Sequence, residues 1–139
     1  MRLFRMAFLS FALLGFAPIA SKAEPVLAYV AAKNANPKRL EVFKKGLAEV
    51  GLIEGQTIRI EYREAVLDAE YGDVMANLVK RKVDVILAAN VAATRAAARS
   101  TQTIPIVMMA VFDPVGIGVA KSLERPGANV TGTTMYAPN

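Results

Sequence analysis

Short apolar runs alternate with amphipathic stretches along the chain after residue 23, and this alternation restricts the possible folds more than any other feature. Runs rich in β-forming residues predict five strands, at residues 26–30, 57–62, 83–88, 104–109 and 130–134. Apolar or small residues at helical spacing predict four helices between them, at residues 37–50, 69–82, 92–100 and 114–123. This order predicts an α/β three-layer sandwich, with helices on both faces of a mostly parallel sheet.

Polar residues mark where the predicted helices begin. Asn36 and Asp113 each precede a proline, which suits the first helical position, and Asp68 precedes the second helix. All three side chains are therefore candidate helix caps. The strand at residues 57–62 alternates apolar and polar residues, which predicts that it lies at an edge of the sheet.

Parallel α/β sheets bind ligands at the carboxyl ends of their strands, near the point where the strand order reverses. In this chain, the loops at residues 31–36, 89–91 and 110–113 follow strands. They supply six candidate ligand-binding residues: Asn34, Asn36, Ala89, Asn90, Val91 and Asp113. For Asn36 and Asp113 we favour helix capping over ligand contact. For Asn34 and Asn90, a turn conformation and a ligand contact explain the residue type equally well.

The residue types available favour binding over catalysis. The sequence has no histidine and no cysteine, which excludes a histidine base, a thiolate nucleophile and zinc sites built from these residues. Gly116-Ile117-Gly118 lacks the third glycine of a dinucleotide-binding loop, and no Walker A sequence is present. We therefore expect no enzymatic activity, no cofactor and no metal.

The first 23 residues have the features of a secretory signal peptide. Arg2 and Arg5 precede an apolar run that is too short to span a bilayer, and Ser21 and Ala23 are the small residues that a cleavage site requires. Removing this leader leaves 14 basic residues against 12 acidic ones, so nucleic-acid binding loses its electrostatic basis. With no cysteine to carry a lipid, we expect a periplasmic protein without a lipid anchor.

A basic triplet, Lys80-Arg81-Lys82, ends the second predicted helix. Cations are favoured at a helix C-terminus, and we prefer that explanation to a phosphate-binding patch. The acidic residues between the second strand and the second helix, which include Glu61 and Glu70, are interpreted as ordinary surface rather than as a catalytic carboxylate pair.

Several motifs resemble the N-terminal lobe of the periplasmic substrate-binding proteins of ABC transporters, particularly the family whose better-studied members bind aromatic amino acids. The motifs are FKKGLAEVGLIEG (43–55), DVILA (84–88), TQTIPIV (101–107), FDPVGIG (112–118) and SLERPGANVTG (122–132). The resemblance implies one lobe of a type I periplasmic binding protein, a two-lobed clamshell that traps a small solute and docks onto a membrane permease. It places the ligand-facing loops at residues 33–36, at 89–91 and in the turn before Asp113.

Two departures from that family pattern affect the interpretation. Asn90-Val91 stands where family members usually carry a pair of small Gly, Ser or Thr residues, which leaves the identity of the solute open. The sequence also ends at Asn139, where the resemblance places the crossing into a second lobe. We therefore interpret residues 24–139 as an N-terminal lobe without its second lobe, monomeric, and weak or inactive in solute binding by itself.

Two other interpretations remain open from the sequence. A self-contained flavodoxin-like module, acting as a sensor or a regulatory ligand-binding domain, fits the same order of strands and helices. An enzyme half that lends a substrate pocket to a partner also fits, although the chain offers it no histidine or cysteine.

Overall fold

The computed structural model describes residues 23–135. The five strands are β1 (Val26–Ala32), β2 (Arg59–Ala65), β3 (Val85–Ala88), β4 (Ile106–Val111) and β5 (Val130–Thr134). The three helices are α1 (Lys38–Glu49), α2 (Asp68–Lys80) and α3 (Val91–Ser100). The predicted signal peptide lies, apart from Ala23, outside the described residues.

All five strands run parallel in the order β2-β1-β3-β4-β5. The first strand, β1, lies inside the sheet. β2 pairs with one side of β1, and β3, β4 and β5 follow in order on its other side. The strand order therefore reverses between β1 and β3, which is where sheets of this class open a binding crevice. The predicted α/β class with a parallel sheet is confirmed, and β2 occupies an edge as its alternating pattern predicts.

One face of the sheet is covered by α2 and α3. In α3, Ala93 and Ala97 are fully buried, and such small side chains let the helix backbone lie close to the strands. Met75 and Leu78 of α2 and Ile86 of β3 are also fully buried in this core. Burying side chains of this size stabilises a fold by about 1.5–3 kcal/mol each before conformational entropy is counted.

The opposite face is covered only in part by the described residues. The ring of Phe43 on α1 meets the ring of Tyr29 on β1 edge-on at 5.6 Å, yet no residue of α1 is fully buried. Beside α1, an apolar groove of about 340 Å³ lies open, with Val42, Phe43 and Met109 in its lining. The described residues therefore cover this face less completely than the face under α2 and α3.

The predicted fourth helix is wrong. Residues 113–120 form consecutive turns in which the N–H groups of Val119 and Ala120 both donate to the Pro114 carbonyl at 3.0 Å. Gly118 has a φ of +74°, a conformation that ends helical propagation. The turns instead bury Val119 and Ala120, and Val119 joins the core on the side of α2 and α3.

At the β2 edge, one carboxylate organises three arginines. The carboxylate of Glu61 accepts from Arg63 at 3.3 Å, lies 3.5 Å from Arg59, and also bonds Arg81 just beyond the end of α2. Its side chain is only 12% exposed. The hydrogen bond from Arg81, together with the charges of Arg81, Arg63 and Arg59, lowers the pKa of Glu61 from its ordinary value, against the opposing effect of burial.

We therefore expect Glu61 to make the fold sensitive to acid. A carboxyl group with a lowered folded-state pKa contributes stability that is present above its ordinary pKa of 4.5 and is lost as pH falls through the folded pKa. Glu61→Gln should lower the free energy of unfolding by about 1 kcal/mol at pH 7. Urea titrations at pH 7 and pH 3 should show that the free energy of unfolding changes less with pH in this variant than in the unsubstituted protein. An unchanged pH dependence would contradict the role given to Glu61.

Candidate ligand-binding site

The three loops predicted to bind ligand lie at one edge of the sheet. Val30 of β1 pairs with Ala88 of β3, and Ala88 pairs with Met108 of β4, so the chain leaves these neighbouring strands on the same side. The loops after β1 and β3 flank the point where the strand order reverses. We call the carboxyl ends of the five strands, with the loops that come after them, the carboxyl edge.

The loop after β1 holds two of the candidate residues. Asn36 is exposed, and its Oδ1 accepts a hydrogen bond from the Lys38 N–H at 3.0 Å, which supports the first turn of α1. The capping role favoured for Asn36 thus matches its contacts. Asn34 is exposed, and its side chain makes no hydrogen bond to any part of residues 23–135. Its amide is therefore available to a ligand.

The start of α2 differs from the prediction. The Glu70 carboxylate accepts from the Val66 N–H at 2.7 Å and from the Leu67 N–H at 3.4 Å, and these bonds lower the pKa of Glu70. The predicted cap, Asp68, is instead the first residue of the helix and makes no such bond within the described chain. The prediction for Asp68 is wrong because the helix begins one residue earlier than predicted, so that Asp68 lies in its first turn, and Glu70 instead reaches back to the N–H groups of Val66 and Leu67.

The start of α3 is held by Asn90. Its Oδ1 accepts from the Ala93 N–H at 2.8 Å, and its Nδ2 donates to the hydroxyl of Tyr71 at 3.0 Å. Tyr71 is buried, so this bond ties α2 to α3 beneath the carboxyl edge. Ala89 is buried as well, and its N–H donates to the Val30 carbonyl at 2.9 Å. Within this loop, the first N–H groups of α3, beginning with that of half-buried Val91, point out of the helix toward the edge.

The carboxyl end of β4 is strained. Ala110 has a φ of +60°, and the pairing of β4 with β5 shifts register between Met108 and Val111. A left-handed conformation at a residue other than glycine costs about 1–3 kcal/mol and is concentrated at functional sites. Beyond it, Asp113 is exposed, and its Oδ1 accepts from the Gly116 N–H at 2.7 Å. Asp113 therefore caps a turn rather than the predicted helix.

Exposed apolar side chains surround these polar groups. Phe112 is 61% exposed and lines a cavity of about 270 Å³ together with Asp113 and Leu123. Val91 lines a separate cavity of about 280 Å³ with Asp68. Thus the candidate residues share an edge of the sheet without sharing one enclosed pocket. Large apolar residues elsewhere along this edge are also exposed: Val66, Leu67, Val115 and Met135.

The arrangement is suited to holding a ligand. Three helices and one turn begin at the carboxyl edge. Side-chain oxygens of Asn36, Asn90 and Asp113 each accept from one N–H at the start of α1, α3 and the turn, whereas Glu70 accepts from two N–H groups just before α2. Helix starts attract carboxylates through their remaining N–H groups and partial positive charge. Among residues 23–135, no group of acidic residues has the spacing to hold a metal ion. In that same range, no helix has the length and apolarity that crossing a bilayer requires.

Sequence reasoning missed three contributors to this edge. Glu70 carried a usable signal, because a glutamate three residues after a helix start is half of a capping box. Tyr71 carried none, because its partner Asn90 is 19 residues away in the sequence. Phe112 lies in the predicted loop at residues 110–113 but was not among the candidate residues, because the sequence alone does not show that its side chain is 61% exposed beside Asp113.

Comparison with known proteins identifies the family. Residues 26–137 match the family model described as ABC transporter substrate binding protein. The chain belongs to this family. It is 41% identical over 95 residues to the tyrosine-binding protein of Clostridioides difficile strain R20291, an alignment that covers 68% of this chain and 28% of that protein.

Solved structures of substrate-binding proteins share the fold. A ligand-free, open substrate-binding protein with adhesive properties from Clostridium difficile matches with a TM-score of 0.74 at 29% identity, over 82% of this chain and 39% of that one. An ABC domain in complex with L-Trp from Streptococcus pneumonia matches with a TM-score of 0.71 at 25% identity, over 81% and 39%. This chain of the substrate-binding family therefore spans less than half the length of these relatives.

Proposed function

We propose that the protein is the solute-binding component of an ABC uptake transporter, and that residues 24–139 supply one of its two ligand-binding lobes. The observation that carries this proposal is the carboxyl edge, where the starts of three helices and one capped turn stand beside exposed apolar side chains in a chain of the substrate-binding family. The reversal of strand order between β1 and β3 supports the same location.

The proposed ligand is a small solute of the amino acid class. Relatives include a tyrosine-binding protein and a domain in complex with L-Trp, which supports this class. In our proposal, helix starts bind the ligand's carboxylate, Asn34 donates a directed hydrogen bond, and the free oxygen of Asp113 receives the ammonium group. Phe112 offers an apolar wall for the side chain. Ala89, Asn90 and Val91 shape the floor between β1 and β3.

The carboxyl edge needs a second wall to enclose a solute. Ligand sites bury most of a small molecule's surface, whereas Phe112 is 61% exposed and Asp113 is exposed. We propose that a second lobe supplies this wall and that closure of the two lobes traps the ligand. Phe112, Val115 and Leu123 are the apolar surface that such a lobe would cover.

The proposal also includes location and partners. Residues 1–23 act as a secretory signal peptide, and the mature protein works in the periplasm without a lipid anchor. It passes its solute to an ABC permease and performs no chemistry on it. The amide and carboxylate groups of the carboxyl edge are suited to reversible binding, which is the step that such a transporter requires.

A hybrid protein tests the proposed ligand class. Residues 24–135 are joined to the second lobe of the tyrosine-binding relative, and L-tyrosine and L-tryptophan are titrated by calorimetry. Asp113→Asn should weaken binding at least tenfold, because it removes the charge that faces the ammonium group. The asparagine keeps an Oδ1 for the Gly116 N–H, so the turn itself should persist.

Asp73→Asn is the matched control. Asp73 is exposed on α2, and the substitution removes the same charge away from the carboxyl edge. Its affinity should stay within about twofold of the unsubstituted hybrid, since a distant exposed charge is screened by solvent. Equal affinities of the two variants would contradict the role given to Asp113.

A further inference from the structure

The arginines around Glu61 form a cationic surface that the proposed solute site does not use. We call Arg59, Arg63 and Arg81, with the flanking Lys80 and Lys82, the basic patch. The three arginine side chains are 59%, 41% and 37% exposed, and both lysines are exposed. Three of these five cations, the arginines, contact the Glu61 carboxylate.

Structural needs explain only part of this arrangement. The bond between Arg81 and Glu61 joins the end of α2 to β2, and one arginine is enough for that link. Cations near a helix C-terminus also interact favourably with the negative end of the helix dipole. Neither role requires Arg59 and Arg63, which stand on the same face of β2 as Glu61 and lie within 3.5 Å of its carboxylate. Glu61 holds three guanidinium groups together while neutralising one charge.

Arg59 places one side of the basic patch at the end of the molecule where the mature chain begins. The Arg59 N–H donates to the Pro25 carbonyl at 2.9 Å, and Arg59 lines a cavity of about 390 Å³ with Ala23 and Glu24. Glu24 and Asp84 are the acidic groups that line the same cavity, and the Asp84 carboxylate already accepts from the Val26 N–H at 2.7 Å. Counted with Glu61, Glu24 and Asp84, the five cations of the basic patch keep two positive charges in excess.

We propose that the basic patch binds the surface of an anionic phospholipid membrane. Guanidinium groups donate paired hydrogen bonds to phosphate oxygens, and each cation near an anionic bilayer adds to the attraction. The proposal rests on the proposed location in the envelope, where a chain without a lipid anchor works beside a membrane. Arg59 begins β2 and Arg81 follows the end of α2, so these cations lie toward the amino ends of the strands, whereas Arg63 is in register with Val30 nearer the carboxyl edge.

Vesicle sedimentation tests the basic patch directly. The processed chain from residue 24, without its apolar leader, is mixed with vesicles of phosphatidylcholine and phosphatidylglycerol at a ratio of about 70:30. We expect binding that weakens at least tenfold between 50 and 300 mM NaCl, and little binding to pure phosphatidylcholine. Arg59→Gln with Arg63→Gln should weaken binding at least tenfold, while Arg81 still bonds Glu61 and keeps the fold.

The matched control removes two cations from another surface. Lys38→Gln with Arg39→Gln acts at the start of α1, where both residues are exposed, and should change vesicle binding by less than about twofold. Circular dichroism spectra of both double variants should match that of the unsubstituted chain, which checks that both variants fold. Three results would overturn the proposal. The two double variants could lose vesicle binding equally, or the unsubstituted chain could bind neutral vesicles as well as anionic ones. The chain could also bind inorganic phosphate saturably without binding vesicles. Retention of an acidic protein instead of anionic vesicles would overturn it too.

Discussion

Gly132→Ala is expected to lower the free energy of unfolding by about 3 kcal/mol, through backbone strain together with overpacking. Gly132 lies in β5 with a φ of +138°, which is strained for any residue with a side chain. An added Cβ would stand 2.0 Å from the Met108 carbonyl oxygen of β4. Because that neighbour is backbone, it has no rotamer that relieves the clash. Urea denaturation followed by circular dichroism measures the loss.

Gly72→Ala is the control for this substitution. Gly72 is exposed in α2, and a Cβ there would meet no heavy atom within 4 Å. Alanine is favoured over glycine in a helix interior, so the free energy of unfolding of this variant should rise by about 0.5–1 kcal/mol. If Gly132→Ala were as stable as the unsubstituted protein, the close approach of β5 to β4 would be wrong, and with it the placement of the loop that carries Asp113.

Asn90→Ala is expected to destabilise the protein by about 2 kcal/mol, because it removes a helix cap and a buried hydrogen bond together. The Ala93 N–H loses its acceptor, and the buried Tyr71 hydroxyl loses the donor that lies 3.0 Å away. The start of α3 should then fray at the floor of the proposed ligand site. Hydrogen exchange at Ala93 should report this fraying directly.

A double-mutant cycle separates the two contributions of Asn90. Tyr71→Phe removes only the hydroxyl, and the coupling energy between the two positions should be about 1 kcal/mol. Asn34→Ala is the control, since the Asn34 side chain makes no hydrogen bond within residues 23–135. This substitution should change the free energy of unfolding by less than about 0.5 kcal/mol. No coupling between Asn90 and Tyr71 would show that the bond contributes nothing to stability.

The parallel sheet was predictable because its strands carry their own signals. Residues 26–30 are a continuous apolar run and residues 83–88 are apolar except for Asp84, as expected of strands buried on both faces, and they became the neighbouring strands β1 and β3. The alternation in β2 likewise predicted an edge position. These patterns depend on residues close in sequence, and they sufficed for the fold class. The family resemblance that the comparisons confirm rests instead on the sequence motifs between residues 43 and 132.

The same local signal succeeded at one helix start and failed at another. Asn36-Pro37 precedes α1, whereas Asp113-Pro114 precedes only turns. The two segments differ after the proline, because Gly116 and Gly118 disfavour a helix that the residues after Pro37 support. The polar cap signal therefore marks where a helix can begin, and helix-forming residues decide whether it continues.

Parts of the candidate site depend on contacts between distant residues, and these were not predictable from sequence spacing. The sequence left Asn90 open between a turn residue and a ligand contact, whereas in the structure it caps α3 and donates to Tyr71. Glu61 was interpreted as ordinary surface, yet it organises arginines from β2 and from the end of α2. Such partners meet only after the sheet and helices have packed. The roles of Asn34, Ala89, Val91 and Asp113 in ligand binding stay predictions.

Calorimetric titration of residues 24–139 by themselves, beside the hybrid with a second lobe, is the most direct test of the central claim. The claim is that this chain supplies half of the surface that encloses a solute. We expect no saturable binding of L-tyrosine or L-tryptophan below about 1 mM by the chain alone, and binding on the order of micromolar by the hybrid. Micromolar binding by the chain alone would contradict the claim, because it would show a site complete within one lobe.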